Sequence, residues 1–208
     1  MSTAPRRALL VIDVQNEYFT GKLPIDYPPV AVSLPNIVLA MATATAHGVP
    51  VIVVQHDMPA QAPVFALGSP GWQLHAEIAA RPFDHHIHKQ QASAFAETDL
   101  AAWLAAHAID TLSIAGYMTH NCDAATIYHA AHHGLKVEFL TDATGSLPYE
   151  NAAGKASAEE IHRVYSTVFH SSFGAAISTA QWLAAVNDGT AIERDNIVAS
   201  NQRARNTH

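Results

Sequence analysis

The sequence predicts an α/β fold organised on a doubly wound parallel sheet, and three observations lead there. Short β-branched apolar runs, Ala8-Leu9-Leu10-Val11-Ile12 and Val51-Ile52-Val53-Val54 among them, lack the polar alternation of a half-exposed strand and read as strands covered on both faces. Segments of helical character separate them, so strand and helix alternate through the chain. The runs also end on residues with chemistry to offer, at Asp13, at Lys89 and in the turn before Cys122, and in open α/β sheets the site lies beyond the carboxyl ends of the strands. A length of 208 residues suits one core, read as a single domain over residues 1–188 with a polar tail over 189–208.

The first strand is closed by Asp13, which either acts at the rim or turns the loop that begins Val14-Gln15-Asn16. Tyr18 and Phe19 bring aromatic surface to the same rim. After a loop from Pro24 to Pro29, Val32 to His47 reads as a helix stopped by Gly48, and Val49 to Val54 as the second strand. His56 and Asp57 follow it and, with His75, would be the ligands of any metal here. The segment from Met58 to His75, with Gly68-Ser69-Pro70-Gly71-Trp72 inside it, is read more simply as a rim closing over a pocket.

His85-His86-Ile87-His88-Lys89 is a short strand, taken as central, in which alternation sends His86 and His88 to one face and His85 to the other, against a zinc site. Lys89 reads either as a solvated surface lysine or as an ammonium aimed at the rim of Asp13 and Cys122. Asp99 to His107 is a helix with Leu100, Trp103 and Leu104 at core spacing, and Thr111 to Ala115 a strand. Ala124 to His133 is a helix ended by Gly134, and Leu135 to Leu140 a strand whose exit loop, Thr141 to Ser146, carries Asp142, which reads either as touching the site or as serving the loop backbone. Ser157 and Glu160 form a capping box for a helix reaching His170. Ala175 to Thr179 and Gln181 to Val186 are the last strand and helix, and the tail from Asn187 is expected to be irregular.

Hydrophobic residues make up 49% of the chain and charged ones 14%, so part of the surface is apolar enough to meet another copy, as a homo-oligomer, dimer or tetramer. The net charge of -7, with no basic run beyond Arg6-Arg7 and the spaced pair Arg203 and Arg205, argues against nucleic acid and membrane partners. No apolar run has the length of a membrane span, and Met1 to Pro5 lacks the character of a signal peptide. The single cysteine excludes an internal disulfide, and a cytoplasmic location is the expectation.

That cysteine, Cys122, falls in or beside the first turn of a helix, where free N–H groups and the positive end of the dipole favour an anion. It is either a small buried filler or a nucleophile. As a nucleophile it needs a base and an oxyanion site; Asp13 beside Lys89 supplies the first and the helix start the second, with no histidine required.

Three stretches carry a resemblance to a known family: Val11-Ile12-Asp13-Val14-Gln15-Asn16-Glu17-Tyr18-Phe19, then Lys89 with Ser93-Ala94-Phe95 and Thr98-Asp99-Leu100, then Ala115-Gly116-Tyr117-Met118-Thr119-His120-Asn121-Cys122. In that order they resemble the signature regions of the isochorismatase-like cysteine hydrolases, over roughly residues 8 to 180. The resemblance implies a three-layer α/β/α, Rossmann-like fold with a six-stranded parallel sheet, and a catalytic triad of Asp13, Lys89 and Cys122. It also implies a cis peptide at Tyr117-Met118 and an oxyanion hole from the Met118 and Cys122 backbone N–H groups.

The function implied is hydrolysis of a small amide at its C–N bond through a thioester, with no cofactor and no metal. Tyr18, Phe19, Trp72, Tyr117 and Met118 are read as pocket walls or as plain packing. Three alternatives stand beside it: an isochorismatase-type ether hydrolase, whose relatives lack the cysteine; a nicotinamidase, whose Asp-x-His metal pair is not matched by His56-Asp57; and a redox-sensing or ligand-binding thiol protein. Asp123 stands where the family usually has a small or apolar residue, and a carboxylate there opposes a neighbouring thiolate.

Overall fold

In the computed structural model, which describes residues 4–206, alternating burial along the first strand already sets up the layers. In β1 (Arg7–Ile12), Leu9 and Val11 face one core and Ala8, Leu10 and Ile12 the other, all fully buried. The chain continues through α1 (Val30–Ala46), β2 (Val51–His56), α2 (Ala76–Ala79), β3 (His85–Lys89), α3 (Leu100–Ala106) and β4 (Thr111–Tyr117). A π-helical turn, Thr119–Asp123, leads into α4 (Ala124–His132). Then come β5 (Lys136–Gly145), β6 (Tyr149–Asn151), β7 (Gly154–Ala156), α5 (Ala158–Ser172), β8 (Ala175–Ile177), α6 (Thr179–Asp188) and α7 (Ile197–Arg205).

Six strands form one parallel sheet in the order β3-β2-β1-β4-β5-β8. The first core holds Ile37, Ala40 and Met41 of α1 with Trp182 and Val186 of α6; the second holds Leu100 and Leu104 of α3, Ile127 and Ala130 of α4, and Phe169 of α5. This is the three-layer α/β/α sandwich of the sequence reading. At the end of the sheet opposite the site, the Arg7 guanidinium forks onto Glu138, which also accepts from Ser113 and Trp182. That buried pair has its lone pairs filled, the condition under which such a pair is tolerated.

Four features differ from the sequence reading. The strand of Lys89 is an edge strand, not a central one. The expected exit loop from Thr141 to Ser146 is largely strand: β5 runs on to Gly145, and its register against β4 jumps from Ile114↔Phe139 to Gly116↔Thr144 across a bulge. Asp142, within the bulge, accepts from the Thr179 N–H and hydroxyl at 2.7 Å, so it does serve backbone at the start of α6. The hairpin β6-β7 and helix α7 went unanticipated, because neither contributes a fully buried residue and so neither shows an apolar period. The tail expected to be irregular thus contains a helix, capped by the Asn196 side chain on the Ala199 N–H. Met1 to Thr3, part of the segment judged for a signal peptide, and the tail residues Thr207 and His208 lie outside the described residues. No helix among the described residues is long and apolar enough to cross a membrane.

The centre of the sheet depends on Gly116. Its φ is +112°, and a Cβ there would fall 2.1 Å from the Ile12 carbonyl oxygen, so β1 and β4 approach as they do only because the side chain is absent. Gly116→Ala is expected to cost about 2–3 kcal/mol and to lower the melting temperature by roughly 5–10 °C, read by thermal circular dichroism.

Candidate active site

Asp13, Lys89 and Cys122 arrive from three separate strand ends and meet in one buried cluster. Asp13 follows β1 directly and has φ +50°, the left-handed region that an aspartate enters more readily than most residues but still at a cost of about 1 kcal/mol. Its N–H is held by the Val54 carbonyl and its own carbonyl by the Gln15 N–H, which fix the turn. Lys89 ends β3, two strands away, with His56 of β2 paired between them. Strands lie about 4.8 Å apart, so only a long side chain can cross β2 to reach β1.

The ammonium of Lys89 lies 2.7 Å from Asp13 Oδ2, 3.3 Å from Cys122 Sγ, 3.2 Å from His56 Nδ1 and 3.2 Å from the Gln91 carbonyl oxygen. Lys89 is 2% exposed and Asp13 fully buried. The Asp13 contact is an ion pair whose approach is not aligned as a hydrogen bond, and Oδ1 has no hydrogen-bond partner. Burial depresses the Lys89 ammonium, but Asp13 and Cys122 beside it more than offset this and hold it above the ordinary lysine range.

Cys122 sits in the π-helical turn, two residues ahead of α4. Burial and then the Asp13 carboxylate push its thiol well above the usual range, while Lys89 pulls the other way. That push runs against the expectation of a thiolate stabilised by the helix start, and its first cause is the desolvation of a group that is 5% exposed.

The Tyr117–Met118 peptide bond is cis. Tyr117 is buried with its hydroxyl 2.8 Å from Ser33 Oγ, and its ring meets Tyr18 and Phe19 edge-on at 5.4 and 5.8 Å. Tyr18 is the wall residue with the clearest link to the chemistry, since after burial the charges of Cys122, Asp13 and Asp123 hold its phenol un-ionised. Trp72 is tied elsewhere, donating from Nε1 to Asp57 at 2.6 Å and stacking on His88. Asp57 takes His88 as well, while His75 accepts from the Glu77 N–H, so His56, Asp57 and His75 have separate partners. Among the described residues no group of three His, Cys, Asp or Glu side chains is arranged to hold a metal ion. His86 and His88 lie on one face with rings 4.5 Å apart, and His85 stacks on Trp103, as alternation requires.

Two residues take places at the site that the sequence reading did not give them, His56 having been weighed only as a metal ligand and His120 only as part of the signature stretch. His56 braces Lys89, and its imidazole is pushed down by burial and by that ammonium. His120 has Nδ1 3.2 Å from Ser146 Oγ, an Nε2 that is buried without a partner, and an edge contact at 4.9 Å with Tyr149 of β6. Burial drives the His120 imidazole down to about 4. Its place two residues before the cysteine was the only available signal.

Fold and site together define a Rossmann-like α/β hydrolase with its polar cluster at the carboxyl ends of the strands. The chain belongs to the isochorismatase family, whose Isochorismatase domain matches residues 7–181. It is 31% identical over 167 residues to the secreted isochorismatase effector Isc1 of Verticillium dahliae, covering 78% of this chain and 87% of that protein. It is 29% identical over 154 residues to the maleamate amidohydrolase of Pseudomonas putida, covering 66% of this chain and 71% of that protein. A solved isochorismatase-type structure from Burkholderia xenovorans LB400 is 62% identical, with 98% of each chain covered and a TM-score of 0.97.

Removing the ammonium leaves Asp13 buried and uncompensated. Lys89→Met is expected to destabilise the protein by about 3–5 kcal/mol in urea unfolding, and Asp13→Asn in the same chain to recover part of that loss. A double variant destabilised by the sum of the losses in Lys89→Met and Asp13→Asn alone would show that the two side chains are not coupled.

Proposed function

We propose that the protein is a cysteine-dependent hydrolase that cleaves the C–N bond of a small amide through a thioester. One observation carries the reading: a buried ammonium lies 2.7 Å from a carboxylate and 3.3 Å from a thiol sulfur, the three coming from separate strand ends. A thiol that is protonated at rest needs its base in place, and Asp13 is that base. As sulfur attacks the carbonyl carbon, the S–H proton passes to Asp13 and the carbonyl oxygen becomes an oxyanion, received by the Met118 and Cys122 backbone N–H groups. Asp13 then gives its proton to the leaving nitrogen as the C–N bond breaks, and water, oriented by Lys89, hydrolyses the thioester.

Similarity to an amidohydrolase favours C–N cleavage over ether hydrolysis. The raised thiol disfavours a redox sensor, which relies on a thiolate at rest. Enclosure by Tyr18, Phe19, Tyr117 and Met118 suits a small, uncharged or weakly polar substrate. Self-association through apolar surface such as Val164 and Val168 of α5, and a cytoplasmic location, belong to the same proposal.

The test is ammonia release from a panel of small primary amides, nicotinamide included, by the wild type and by Cys122→Ala, with and without chelator. Release that chelator leaves unchanged and that falls at least ~10³-fold in Cys122→Ala is the expected result. Release that survives Cys122→Ala, or turnover of isochorismate with every amide untouched, overturns the reading.

A further inference from the structure

The histidines of β3 and the indole of Trp72 take no part in the hydrolysis, yet their contacts tie them into one built cluster. Alternation along the strand sends His85 away from the other two, and the same alternation sets His86 and His88 side by side with ring centres 4.5 Å apart. Ile87 and Lys89 turn to the opposite face, where Ile87 joins the core of α3 and α4 and Lys89 meets Asp13. The histidine pair therefore lies across the edge strand from the reacting groups.

Each imidazole is held by an oxygen that can only accept. His86 Nε2 lies 3.1 Å from Gln55 Oε1, and the Gln55 amide is oriented by its own donation to the Trp72 carbonyl oxygen at 2.9 Å. Nε2 of His86 thus carries the hydrogen, and Nδ1 keeps the lone pair. His88 Nδ1 faces both oxygens of the Asp57 carboxylate at 3.1 and 3.0 Å, so in His88 the hydrogen is on Nδ1 and the lone pair on Nε2. Trp72 steadies this side too: its indole donates to Asp57 at 2.6 Å and its ring stacks on His88. Phe83 packs edge-on against His86 at 5.5 Å. The two rings are fixed in place, each with a lone pair that no hydrogen bond among the described residues takes up.

We propose that His86 and His88 chelate a divalent transition metal ion of the zinc type, through His86 Nδ1 and His88 Nε2, with Gln55 and Asp57 fixing the tautomers and water in the remaining positions. Imidazole suits zinc, nickel and copper, whereas magnesium and calcium take oxygen donors. Two zinc–nitrogen bonds of about 2 Å at a tetrahedral centre put their donors about 3.3 Å apart, a gap that rings with centres 4.5 Å apart can span with one nitrogen each. A ligating histidine characteristically donates its other ring N–H to a carboxylate or carbonyl, which holds the ring in the binding tautomer and makes it more basic. Asp57 does this for His88 and Gln55 for His86. The His88 side chain is 47% exposed, which gives the ion a way in and room for its waters. The pair stands or falls independently of the chemistry at Cys122.

The test titrates zinc chloride into the full, tag-free chain by isothermal calorimetry. One equivalent is expected to bind, and His86→Gln and His88→Gln each to abolish that binding. Asp57→Asn, which leaves both donors but takes the charge from behind His88, is expected to weaken it about 10- to 100-fold. His129→Gln, which breaks the other stacked histidine pair, His129 with His133 on α4, leaves it unchanged. X-ray absorption of the zinc-loaded wild type, which needs no variant, is expected to show two imidazoles, lighter donors and no sulfur. No bound zinc, binding that persists in both β3 variants or is lost in His129→Gln, or a spectrum with sulfur or without two imidazoles overturns the proposal.

Discussion

The lysine of an edge strand reaches across β2 to an aspartate at the end of β1, and the rest of the site is arranged around that buried pair. Two ions out of water are expensive, by several kcal/mol each, and their mutual attraction returns that cost only with further partners. The ammonium finds them in Cys122, His56 and the Gln91 carbonyl. Asp13 keeps an oxygen with none.

The sheet supplies the precision this pair demands. Rigid strands fix where Asp13 and Lys89 begin, and Gly116 lets β1 and β4 close to a distance no other residue would permit. Gln15 adds a staple, accepting from the His56 N–H and donating to the His56 and Trp72 carbonyls, so the end of β2 cannot drift from the turn that holds Asp13. Through that staple His56 keeps its imidazole against Lys89. The cluster is therefore held by backbone contacts of the sheet as much as by its own charges.

What was legible in the sequence follows from how each feature is encoded. β1 and β2 showed as unbroken apolar runs; Asp13 stood out because it closes one of them, and Cys122 because it is the single cysteine and falls where a helix starts. Local pattern also gave the capping box of α5, which is present with both of its bonds. Lys89 was found at the right end of β3 but with the wrong neighbours, since sheet order depends on which crossover goes which way, and a strand of three histidines carries little trace of its edge position. The bulge of β5 and the contacts of Thr119 with Thr144 and His162 are invisible in one dimension: residues 119, 144 and 162 are brought together only by tertiary packing. Cys122 shows the limit most clearly. Helix-start logic argued for a thiolate, whereas burial, which the sequence does not display, pushes the thiol the other way.

A protonated resting thiol changes how the chemistry must run. With a preformed thiolate the base would be needed only for the leaving group; in the proposed mechanism the same carboxylate takes the proton as sulfur attacks and returns it as nitrogen departs, so proton and nucleophile move together and the net charge of the site is unchanged. Lys89 lies 2.7 Å from the carboxylate and 3.3 Å from the sulfur. A fixed cation beside both partners of that proposed proton transfer stabilises it without rearranging, which is what a low-dielectric site needs from its charges.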